Sequence, residues 1–523
     1  MRHWRPISRR AALRDLGALG AAVALGEPHG AFPHADGEVR PVPPNLVLFL
    51  VDDMGWQDTS VPFHSSPTPF NDRYHTPSME RLADGGVCFT QAYACCVCSP
   101  SRVSLMTGMN AARHRVTNWT LWKDRATDGA QGELMLPEWN VNGIAPLGGD
   151  PRAVHARCLP AILRHRGYRT IHVGKAHFGA VGTPGADPRS LGFDVNIAGH
   201  AAGGPGSYLG TQNFSGRWRG AEAVWDVPGL EHYHGQDIFL TEALTLEAIR
   251  EMDAAVRRRQ PFFLYLSHYA VHVPFADDPR FVGKYDRAGL DHTEAQYAAL
   301  LEGMDQSLGD ILDRLRYHGI EQNTVVLFMS DNGGLSAYGR GGEPHTHNRP
   351  LSSGKGSAHE GGIRVPMIVS WPGIVRPGTT CAHPVIIEDF YPTLLELAGV
   401  PEITSPDAQS VVPLLRGEAP GTGSRALHWH YPNCWGPPGP GIGASSTIRR
   451  GDWKLIYYHA DQSYELFNIA EDIGEERNRA RSEPHRVSEL ADALRDHLLA
   501  VDAQMPSLRS TGEPVPLPGE SVP

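Results

Sequence analysis

Runs of apolar residues along the chain are of two kinds, and each kind predicts a different element. Short continuous apolar runs occur at 45–51, 261–268 and 324–329, and such runs are typical of strands buried on both faces of a parallel sheet. A similar run at 167–174 ends in a tight turn. Residues 297–315 instead repeat apolar positions at helical spacing, which predicts an amphipathic helix with one buried stripe.

The pattern changes after Leu415, where Gly, Pro and Ser become frequent. Short strand-like runs then resume, and two of them join through Gly451-Asp452, a turn that is typical of β-hairpins. A helix with apolar positions from Val487 to Val501 follows them. We therefore predict a small antiparallel sheet with one helix, built from short strands at 426–431, 446–449, 453–458 and 465–468.

The first 35 residues predict an export leader. The pair Arg9-Arg10 precedes an Ala- and Gly-rich apolar run at 16–25, which is too short to cross a bilayer. This pattern is typical of a twin-arginine signal peptide, and a short amphipathic N-terminus is the alternative interpretation. No other stretch of the sequence is long and apolar enough for a membrane span. The predicted location is the bacterial periplasm or the exterior of the cell.

Composition narrows the class of protein. The 523 residues are 41% hydrophobic and 20% charged, as in ordinary globular proteins of more than one domain. The formal net charge of -11 argues against a nucleic-acid partner, because such proteins normally present a basic face. The seven cysteines are odd in number and scattered from Cys88 to Cys434. They do not predict a disulfide framework.

Acidic and amide residues follow two of the predicted strands. Asp52-Asp53 comes directly after 45–51, and Asp331-Asn332 comes shortly after 324–329. Open α/β sheets bind ligands at the carboxyl ends of their strands. Two adjacent carboxylates can serve one site only if the chain turns there, and Gly55 permits a turn. An all-oxygen set suits Ca²⁺ or Mg²⁺ rather than zinc, although solvated loop acids are the alternative interpretation.

The most specific motif is Cys98-Ser99-Pro100-Ser101-Arg102, which continues through Leu105-Met106-Thr107-Gly108. It resembles the motif of the sulfatase family, in which the cysteine is oxidised after translation to the aldehyde formylglycine. In that family one hydroxyl of the hydrated aldehyde attacks sulfur, and the other loses its proton as sulfate leaves. A buried structural thiol is the alternative. The nearby Cys95 and Cys96 do not predict a zinc site, because no second ligand pair accompanies them.

Other runs also resemble sulfatase motifs. They are Gly174-Lys175-Ala176-His177, Val271-His272-Val273-Pro274, Gly354-Lys355-Gly356 and Glu360-Gly361-Gly362-Ile363-Arg364-Val365-Pro366. In the second run Val271 replaces the proline of the family pattern. The resemblance extends from Asn45 to about Met505. It implies an α/β/α sandwich of the alkaline-phosphatase-like type, with a large, mixed, mostly parallel sheet and a small C-terminal domain of antiparallel sheet and helix.

The resemblance implies a role for each matched residue. One Ca²⁺ ion, with Mg²⁺ as the alternative, would be bound by Asp52, Asp53, Cys98 (as formylglycine), Asp331 and Asn332. Arg102, Lys175 and Lys355 would surround the sulfate and disperse its charge, and Arg102 would also hold the formylglycine. His272, with Lys355, would protonate the leaving alcohol, and His177 would take the proton from the second hydroxyl.

Domains and partners follow from the same resemblance. We predict a twin-arginine signal peptide over 1–35, a catalytic α/β domain over 42–415, a C-terminal subdomain over 425–505 and a Pro-rich tail over 506–523. The implied partners are a sulfated carbohydrate or aryl sulfate substrate, a formylglycine-generating maturation enzyme and the twin-arginine export machinery.

The sequence defines the substrate less closely. The polar segment 343–349 could bind a sugar or be a solvated loop, and its candidate residues are His345, His347, Asn348 and Arg349. The runs 56–60 and 113–120 resemble those of bacterial polysaccharide sulfatases, and galactose or N-acetylgalactosamine 4-sulfate is the suggested substrate. The alternative functions are a phosphate or phosphonate ester hydrolase of the same superfamily and a non-catalytic glycan-binding relative. The latter predicts a missing nucleophile, base or metal ligand, whereas all of these residue types are present.

Overall fold

The computed structural model of the protein describes residues 43–129, 132–401, 403–418 and 425–520. The predicted leader, 1–35, lies outside the described residues. None of the described helices is both long and apolar enough to cross a membrane.

Strands and helices alternate through most of the described chain. The strands are β1 Asn45–Val51, β2 Val87–Phe89, β3 Ala92–Tyr93, β4 Leu134–Met135, β5 Arg169–Gly174, β6 Val195–Ile197, β7 Phe262–Ser267, β8 Thr324–Ser330, β9 Arg364–Val365, β10 Met367–Ser370, β11 Thr379–Cys381, β12 Val385–Ile386, β13 Ala426–Tyr431, β14 Ser445–Arg450, β15 Trp453–Tyr458, β16 Tyr464–Asn468 and β17 Ser507–Leu508. The α-helices are α1 Pro69–Arg73, α2 Pro77–Asp84, α3 Cys98–Thr107, α4 Ala111–His114, α5 Leu159–His165, α6 Leu240–Arg257, α7 Val282–Arg287, α8 His292–Tyr317, α9 Glu360–Ile363, α10 Phe390–Leu397, α11 Val412–Leu415 and α12 Pro484–Ala500.

Strand β1 lies in the middle of an eight-stranded sheet with the order β11-β2-β10-β8-β1-β7-β5-β6. It runs parallel to both of its neighbours, β8 and β7, and β5 and β6 continue the parallel set. On the other side β10 is antiparallel to β8 and β2, whereas β11 is parallel to β2. The expected large, mixed and mostly parallel sheet is confirmed.

The two faces of this sheet carry separate apolar cores. Along β1, Val47, Phe49 and Val51 belong to one core and the intervening leucines to the other, because successive strand side chains point to opposite faces. Residues of α6 and α8 complete the first core, and residues of α3, α5 and α10 complete the second. Helix α8 is the predicted amphipathic helix, and its stripe from Tyr297 to Leu315 is buried. The result is the expected sandwich of helices, sheet and helices.

The C-terminal sheet has the antiparallel order β13-β14-β15-β16. Gly451, with a φ of 61°, lies in the turn between β14 and β15, as the hairpin pattern predicted. Helix α12 buries Val487, Leu490, Leu494 and Leu498 in a core shared with this sheet. The small sheet with one helix is therefore confirmed.

A buried ion network joins this small sheet to the rest of the chain. Lys454 on β15 donates to Glu360 at 3.1 Å and to Glu475 at 2.8 Å, and all three side chains are buried. Glu475 also accepts from the backbone N–H of Glu360 at 2.6 Å. Because Glu360 follows Lys355 by only five residues, the network helps to hold the segment that carries Lys355.

The Pro-rich C-terminal segment is part of the fold. Strand β17 pairs with β4, the Val515 side chain is buried in the core of the small sheet, and Tyr457 donates to the carbonyl of Pro516 at 2.9 Å. All seven cysteines are free thiols, which agrees with the expectation that they form no disulfide framework.

Candidate active site

The two acidic strand ends meet because β1 and β8 are neighbours. Val51 pairs with Ser330 in the parallel ladder, and the N–H of Asp331 donates to the carbonyl of Val51 at 3.0 Å. The next residues of both strands therefore lie side by side at the carboxyl edge of the sheet. Asp52, Asp53, Asp331 and Asn332 are all buried there.

A left-handed turn at Asp53 brings both β1 carboxylates to one site. Asp53 itself has a φ of 61°, a conformation that Asp tolerates better than most residues. The sequence had suggested Gly55 as the turning residue. Gly55 has a different reason to be glycine, because any side chain there would overlap Asn348 Oδ1 and crowd the Asp58 carboxylate.

Cys98 is the first residue of α3, which ends at the left-handed residue Gly108. Its Sγ lies 3.7 Å from Asp52 Oδ1, and the side chain is buried. Helix N-termini present free N–H groups and a positive dipole end, which favour negative charge. The thiol therefore lies where an anionic substrate group would be stabilised.

Two lysines each pair with one of the β1 carboxylates. Lys175 follows β5, and its Nζ lies 2.6 Å from Asp52 Oδ2. Lys355 Nζ lies 2.7 Å from Asp53 Oδ1. The four side chains are almost entirely inaccessible to solvent. Gly174 precedes Lys175 with a φ of 101°, and any side chain there would overlap the carbonyl of Ser267, so glycine is required for the close approach of β5 and β7.

Arg102 is directed at the second acidic strand end. Its Nε lies 2.9 Å and its Nη2 2.8 Å from Asp331 Oδ2. Nη1 donates to the carbonyl of Lys175 at 3.0 Å and to Ser267 Oγ at 2.7 Å. The guanidinium is fully buried, so its contacts orient Asp331 and the backbone that carries Lys175.

The two candidate histidines occupy different surroundings. His272 Nε2 lies 3.8 Å from Asp53 Oδ2, so it shares this carboxylate with Lys355. His177 has a φ of 56°, and its Nε2 lies 2.9 Å from the carbonyl of Thr120. The contact assigns the proton to Nε2, and the buried Nδ1 has no partner among the described residues. His177 is thus arranged as a neutral imidazole with a free lone pair.

Burial controls the protonation states at the site. It raises the pKa of Cys98 to about 12, against the opposing effect of Lys175 and Lys355, so the thiol is protonated at neutral pH. Burial also raises the pKa of Asp52 to about 8. It opposes ionisation of Asp53 as well, yet Lys355 and His272 outweigh it and hold the pKa of Asp53 below its ordinary value. A protonated thiol is a poor nucleophile.

Burial and neighbouring charges also set the protonation states of Lys355 and of the two histidines. Burial opposes the charge of Lys355, but Asp53 holds its pKa well above the ordinary value, so the ammonium keeps its proton. Burial and Lys355 lower the pKa of His272 to about 3. Burial and Lys175 hold the pKa of His177 well below the ordinary value. Lys355 is therefore protonated at neutral pH, and the two imidazoles are neutral.

The residues present fit a divalent cation. One ligand atom each of Asp52, Asp53, Cys98 and His272 lies within 4.8 Å of the others. Asn332 Nδ2 donates to Asp53 Oδ1 at 2.8 Å, and this orients the amide. Its Oδ1 is buried and has no hydrogen-bond partner among the described residues. A buried acceptor without a partner is costly, and a bound cation would satisfy it.

Two supporting residues, Thr120 and Asp58, lie in the runs 113–120 and 56–60, which the sequence analysis connected with the type of substrate and not with the support of the site. The carbonyl of Thr120 accepts from His177, and Thr120 Oγ1 lies 3.5 Å from Ser99 Oγ. Thr120 therefore connects His177 to the residue after Cys98. Asp58 Oδ2 accepts from Tyr297 at 2.5 Å and from the N–H of Gly55 at 3.0 Å, and so it fixes the turn after Asp53. Only the paired strand order brings these distant positions together.

The segments considered for substrate recognition have mainly internal partners. His347 lies 3.1 Å from Ser336 Oγ, and Asn348 donates to the carbonyls of Gly334 and Ser353. His345 is half-buried and lies 3.3 Å from Ser353 Oγ, whereas Arg349 is exposed. The runs 56–60 and 113–120 are also largely buried. Internal contacts hold His345, His347 and Asn348, and a role of these residues and of the exposed Arg349 in substrate binding stays a prediction.

Comparison with known proteins identifies the family. The sulfatase family model matches residues 44–400, and the model for the C-terminal region of N-sulphoglucosamine sulphohydrolase matches residues 354–504. A sulfatase of Formosa agariphila is 30% identical over 84% of this chain and 85% of its own length. The N-acetylgalactosamine-6-sulfatase of Mus musculus is 31% identical over 69% of this chain, which spans only 63% of the mouse protein.

Solved structures agree with these matches. The structure of Ps i-CgsB in complex with k-i-k-neocarrahexaose has a TM-score of 0.69 at 26% identity and covers 87% of this chain and 93% of its own. The phosphonate monoester hydrolase of Agrobacterium radiobacter, at 20% identity, has a TM-score of 0.56 over 88% of this chain and 95% of its own. The second likeness concerns the shared fold alone. The members of the sulfatase family hydrolyse sulfate esters and generally use a metal ion. This chain belongs to that family, which is part of the alkaline-phosphatase-like superfamily.

Proposed function

We propose that this protein hydrolyses a sulfate ester on a sulfated carbohydrate, using a formylglycine made from Cys98 and a Ca²⁺ ion. The observation that carries the proposal is the position of Cys98 at the start of α3, with Sγ 3.7 Å from Asp52 Oδ1. A thiol whose pKa is raised to about 12 by burial is unsuited to attack as a thiolate. Conversion to the hydrated aldehyde would supply hydroxyl groups at the same place.

The ligands proposed for Ca²⁺ are Asp52, Asp53, Asp331 and Asn332, with the modified Cys98. Hard oxygen donors of this kind are the preferred ligands of Ca²⁺, and the unpartnered Oδ1 of Asn332 supports the assignment. When bound, the ion would supply positive charge beside the sulfate oxygens. Lys175 and Lys355 add two further buried positive charges at this place.

Proton transfer is proposed for two sides of the site. Lys355 is 2.7 Å and His272 3.8 Å from the Asp53 carboxylate, so a proton held by this pair is available to the departing alcohol. The free Nδ1 of His177 is available to accept a proton, because the Thr120 carbonyl fixes the tautomer. Separating an acid and a base in this way lets one site protonate the leaving group and deprotonate the nucleophile.

The proposed substrate class rests on relatives. Two similar proteins are a sulfatase named for N-acetylgalactosamine 6-sulfate and a protein solved with a neocarrahexaose. We propose a sulfated galactose-type sugar as the substrate of this chain. An assay is to decide whether the hydrolysed sulfate is at position 4 or at position 6. A screen of defined methyl galactoside and N-acetylgalactosaminide sulfates is the direct test of the class.

Two further partners belong to the proposal. A maturation enzyme must reach Cys98 before folding is complete, because the side chain is buried in the folded protein. The Arg9-Arg10 leader pattern supports twin-arginine export to the periplasm or the exterior. Twin-arginine export carries folded proteins, so oxidation of Cys98 would come before export.

Intact-peptide mass spectrometry tests the central step. A peptide ending at Arg102, from protein made with the maturation system present, should contain Cys98 as the lighter aldehyde. Cys98→Ala should abolish hydrolysis of nitrophenyl sulfate and leave the fold intact. Cys158→Ala is the matched control, because this thiol is also buried but lies at the N-cap of α5, where its Sγ is 3.6 Å from the carbonyl of Ala156. A fully active enzyme that carries only the unmodified thiol would contradict the proposal.

The same assay separates the alternative functions. A phosphate or phosphonate ester hydrolase should turn over nitrophenyl phosphate faster than nitrophenyl sulfate. A non-catalytic glycan-binding protein should turn over neither compound, even when Cys98 is fully converted. We expect sulfate to be the preferred ester.

A further inference from the structure

Two segments from different parts of the chain meet beside the catalytic residues. The 335–350 segment follows the acidic end of β8, and the 432–443 segment connects β13 to β14 in the small sheet. Tyr338 in the first segment and Trp435 in the second have ring centroids 5.7 Å apart at an angle of 36°. Tyr338 is 46% exposed and Trp435 is half-buried. This Tyr338–Trp435 pair therefore presents aromatic surface to solvent.

The pair borders the site through Lys355. Lys355 Nζ lies 5.7 Å from the centroid of the Trp435 ring and 2.7 Å from Asp53. The indole packs against the backbone of Gly356, where any side chain would overlap the ring. One ammonium group therefore separates the aromatic surface from the carboxylate at the reacting centre.

Tyr338 is placed near the centre by its contact with Trp435. The centroid of the Tyr338 ring lies 5.7 Å from that of the indole, and the indole lies 5.7 Å from Lys355 Nζ. The exposed ring is thus next to the site rather than on a remote surface.

A second contact holds the two segments together. The His345 imidazole packs against Gly439, where any side chain would overlap the ring. His345 Nδ1 also lies 3.3 Å from Ser353 Oγ, shortly before Lys355. The aromatic pair is therefore braced from both segments, and little side-chain freedom is lost when a ligand packs on it.

We propose that Tyr338 and Trp435 bind the sugar ring that carries the sulfate ester, and so determine specificity for a pyranoside leaving group. This proposal rests on the proposed sulfatase function. Aromatic rings offer a large, rigid apolar face with a polar edge, which matches the C–H face and hydroxyl rim of a pyranose. A ring stacked there would have its ester oxygen toward Lys355, which belongs to the proposed proton-donating pair.

Steady-state kinetics of Tyr338→Ala, Tyr338→Phe and Trp435→Phe test the proposal with a panel of methyl galactoside 4- and 6-sulfates. Tyr338→Ala should raise the KM for the preferred pyranoside sulfate about five- to tenfold, as expected for loss of one aromatic contact. The two Phe variants keep a ring and should stay within about threefold of the wild type. Tyr317→Ala is the matched control, since Tyr317 is 74% exposed at the far end of α8.

Competitive inhibition by inorganic sulfate distinguishes a sugar contact from a support of Lys355. The inhibition constant for sulfate should change less than about twofold in Tyr338→Ala, because sulfate lacks the ring. An equal rise in both constants, or an unchanged KM, would overturn the proposal. If the wild type turns over nitrophenyl sulfate but no pyranoside sulfate, the sulfatase function stands and this proposal fails.

Isothermal titration calorimetry tests the aromatic contact independently of the sulfatase activity, in case no sulfate ester is hydrolysed. Galactose 6-sulfate and galactose 4-sulfate are titrated into Cys98→Ala protein with and without Tyr338→Ala. Weaker binding of the better sugar in the double variant supports the aromatic contact independently of turnover. Equal binding, or binding of neither sugar, overturns it.

Discussion

The ammonium of Lys175 lies 2.6 Å from Asp52 Oδ2, and neither side chain is exposed to solvent. The same ammonium lies 4.0 Å from Asp331 Oδ2, so one lysine faces an acidic residue from each of the two central strands. Its charge offsets the repulsion between carboxylates that are gathered for a cation. Lys175 thus has a structural effect on the site in addition to its proposed contact with sulfate.

Lys175→Met should damage both stability and turnover. Removing Lys175 leaves the buried carboxyl groups of Asp52 and Asp331 without the lysine that both of them face, and loss of one partner of such a buried pair typically costs about 3 kcal/mol or more. Loss of a positive charge at the sulfate should lower kcat/KM by about a hundredfold. Urea unfolding and nitrophenyl sulfate hydrolysis measure the two effects. Arg189→Met is the control, because its pair with Asp187 is exposed and should contribute little. Wild-type stability in Lys175→Met would contradict this account.

Chelation should abolish turnover, and added Ca²⁺ should restore it. Because a ligand that binds only the folded state stabilises it, calcium at about 100 times its Kd should add about 3 kcal/mol to the free energy of unfolding. Asp331→Ala should lose both the activity and this calcium-dependent shift in melting temperature. Asp313→Ala, at an exposed carboxylate on α8, should keep both. Full activity in excess chelator, with no metal by elemental analysis, would rule out the metal site.

Acid should destabilise the C-terminal sheet through buried histidines. His430 lies 2.9 Å from Ser446 Oγ, which also contacts His459 at 2.9 Å. Burial lowers the pKa of His430 to about 4. A histidine with a depressed folded pKa stabilises the protein above its unfolded pKa of about 6.5, and this stabilisation is lost as the pH falls toward 4.

His430→Gln should therefore flatten the pH dependence of stability. The variant should avoid about 2 kcal/mol of the loss that the wild type suffers between about pH 7 and pH 5. Urea unfolding at the two pH values measures this difference. His485→Gln, at an exposed position on α12, should behave as the wild type. An identical pH dependence in all three proteins would show that His430 is not responsible.

The leader and the aldehyde are linked by the order of events. Replacing Arg9 and Arg10 with Lys should leave active, aldehyde-bearing enzyme in the cytoplasm, because oxidation of Cys98 is expected before export. Cell fractionation followed by peptide mass spectrometry tests both parts. Undiminished export of the double variant would show that the leader is not twin-arginine dependent. Retained protein with a thiol at Cys98 would show that oxidation follows export.

Local patterns in the sequence determined the main elements. The apolar runs predicted β1, β7 and β8 because strands buried on both faces require apolar residues at every position. The stripe from Tyr297 to Leu315 predicted α8, since its spacing matches the helical repeat. The motifs at Cys98, Lys175 and Lys355 could also be recognised in the sequence, because each is a short contiguous run.

Only the tertiary structure decided how these pieces meet. The direct pairing of β1 with β8, the left-handed Asp53 and the support of its turn by Asp58 depend on residues more than 200 positions apart, such as Tyr297. The contact between Tyr338 and Trp435 likewise joins the segment after β8 to the segment between β13 and β14 of the small sheet. The spacing of apolar residues indicates which face of a helix or strand is buried, but it does not indicate which other element packs against that face. The order of strands and the packing of loops set the neighbours, and with them the chemistry of the site.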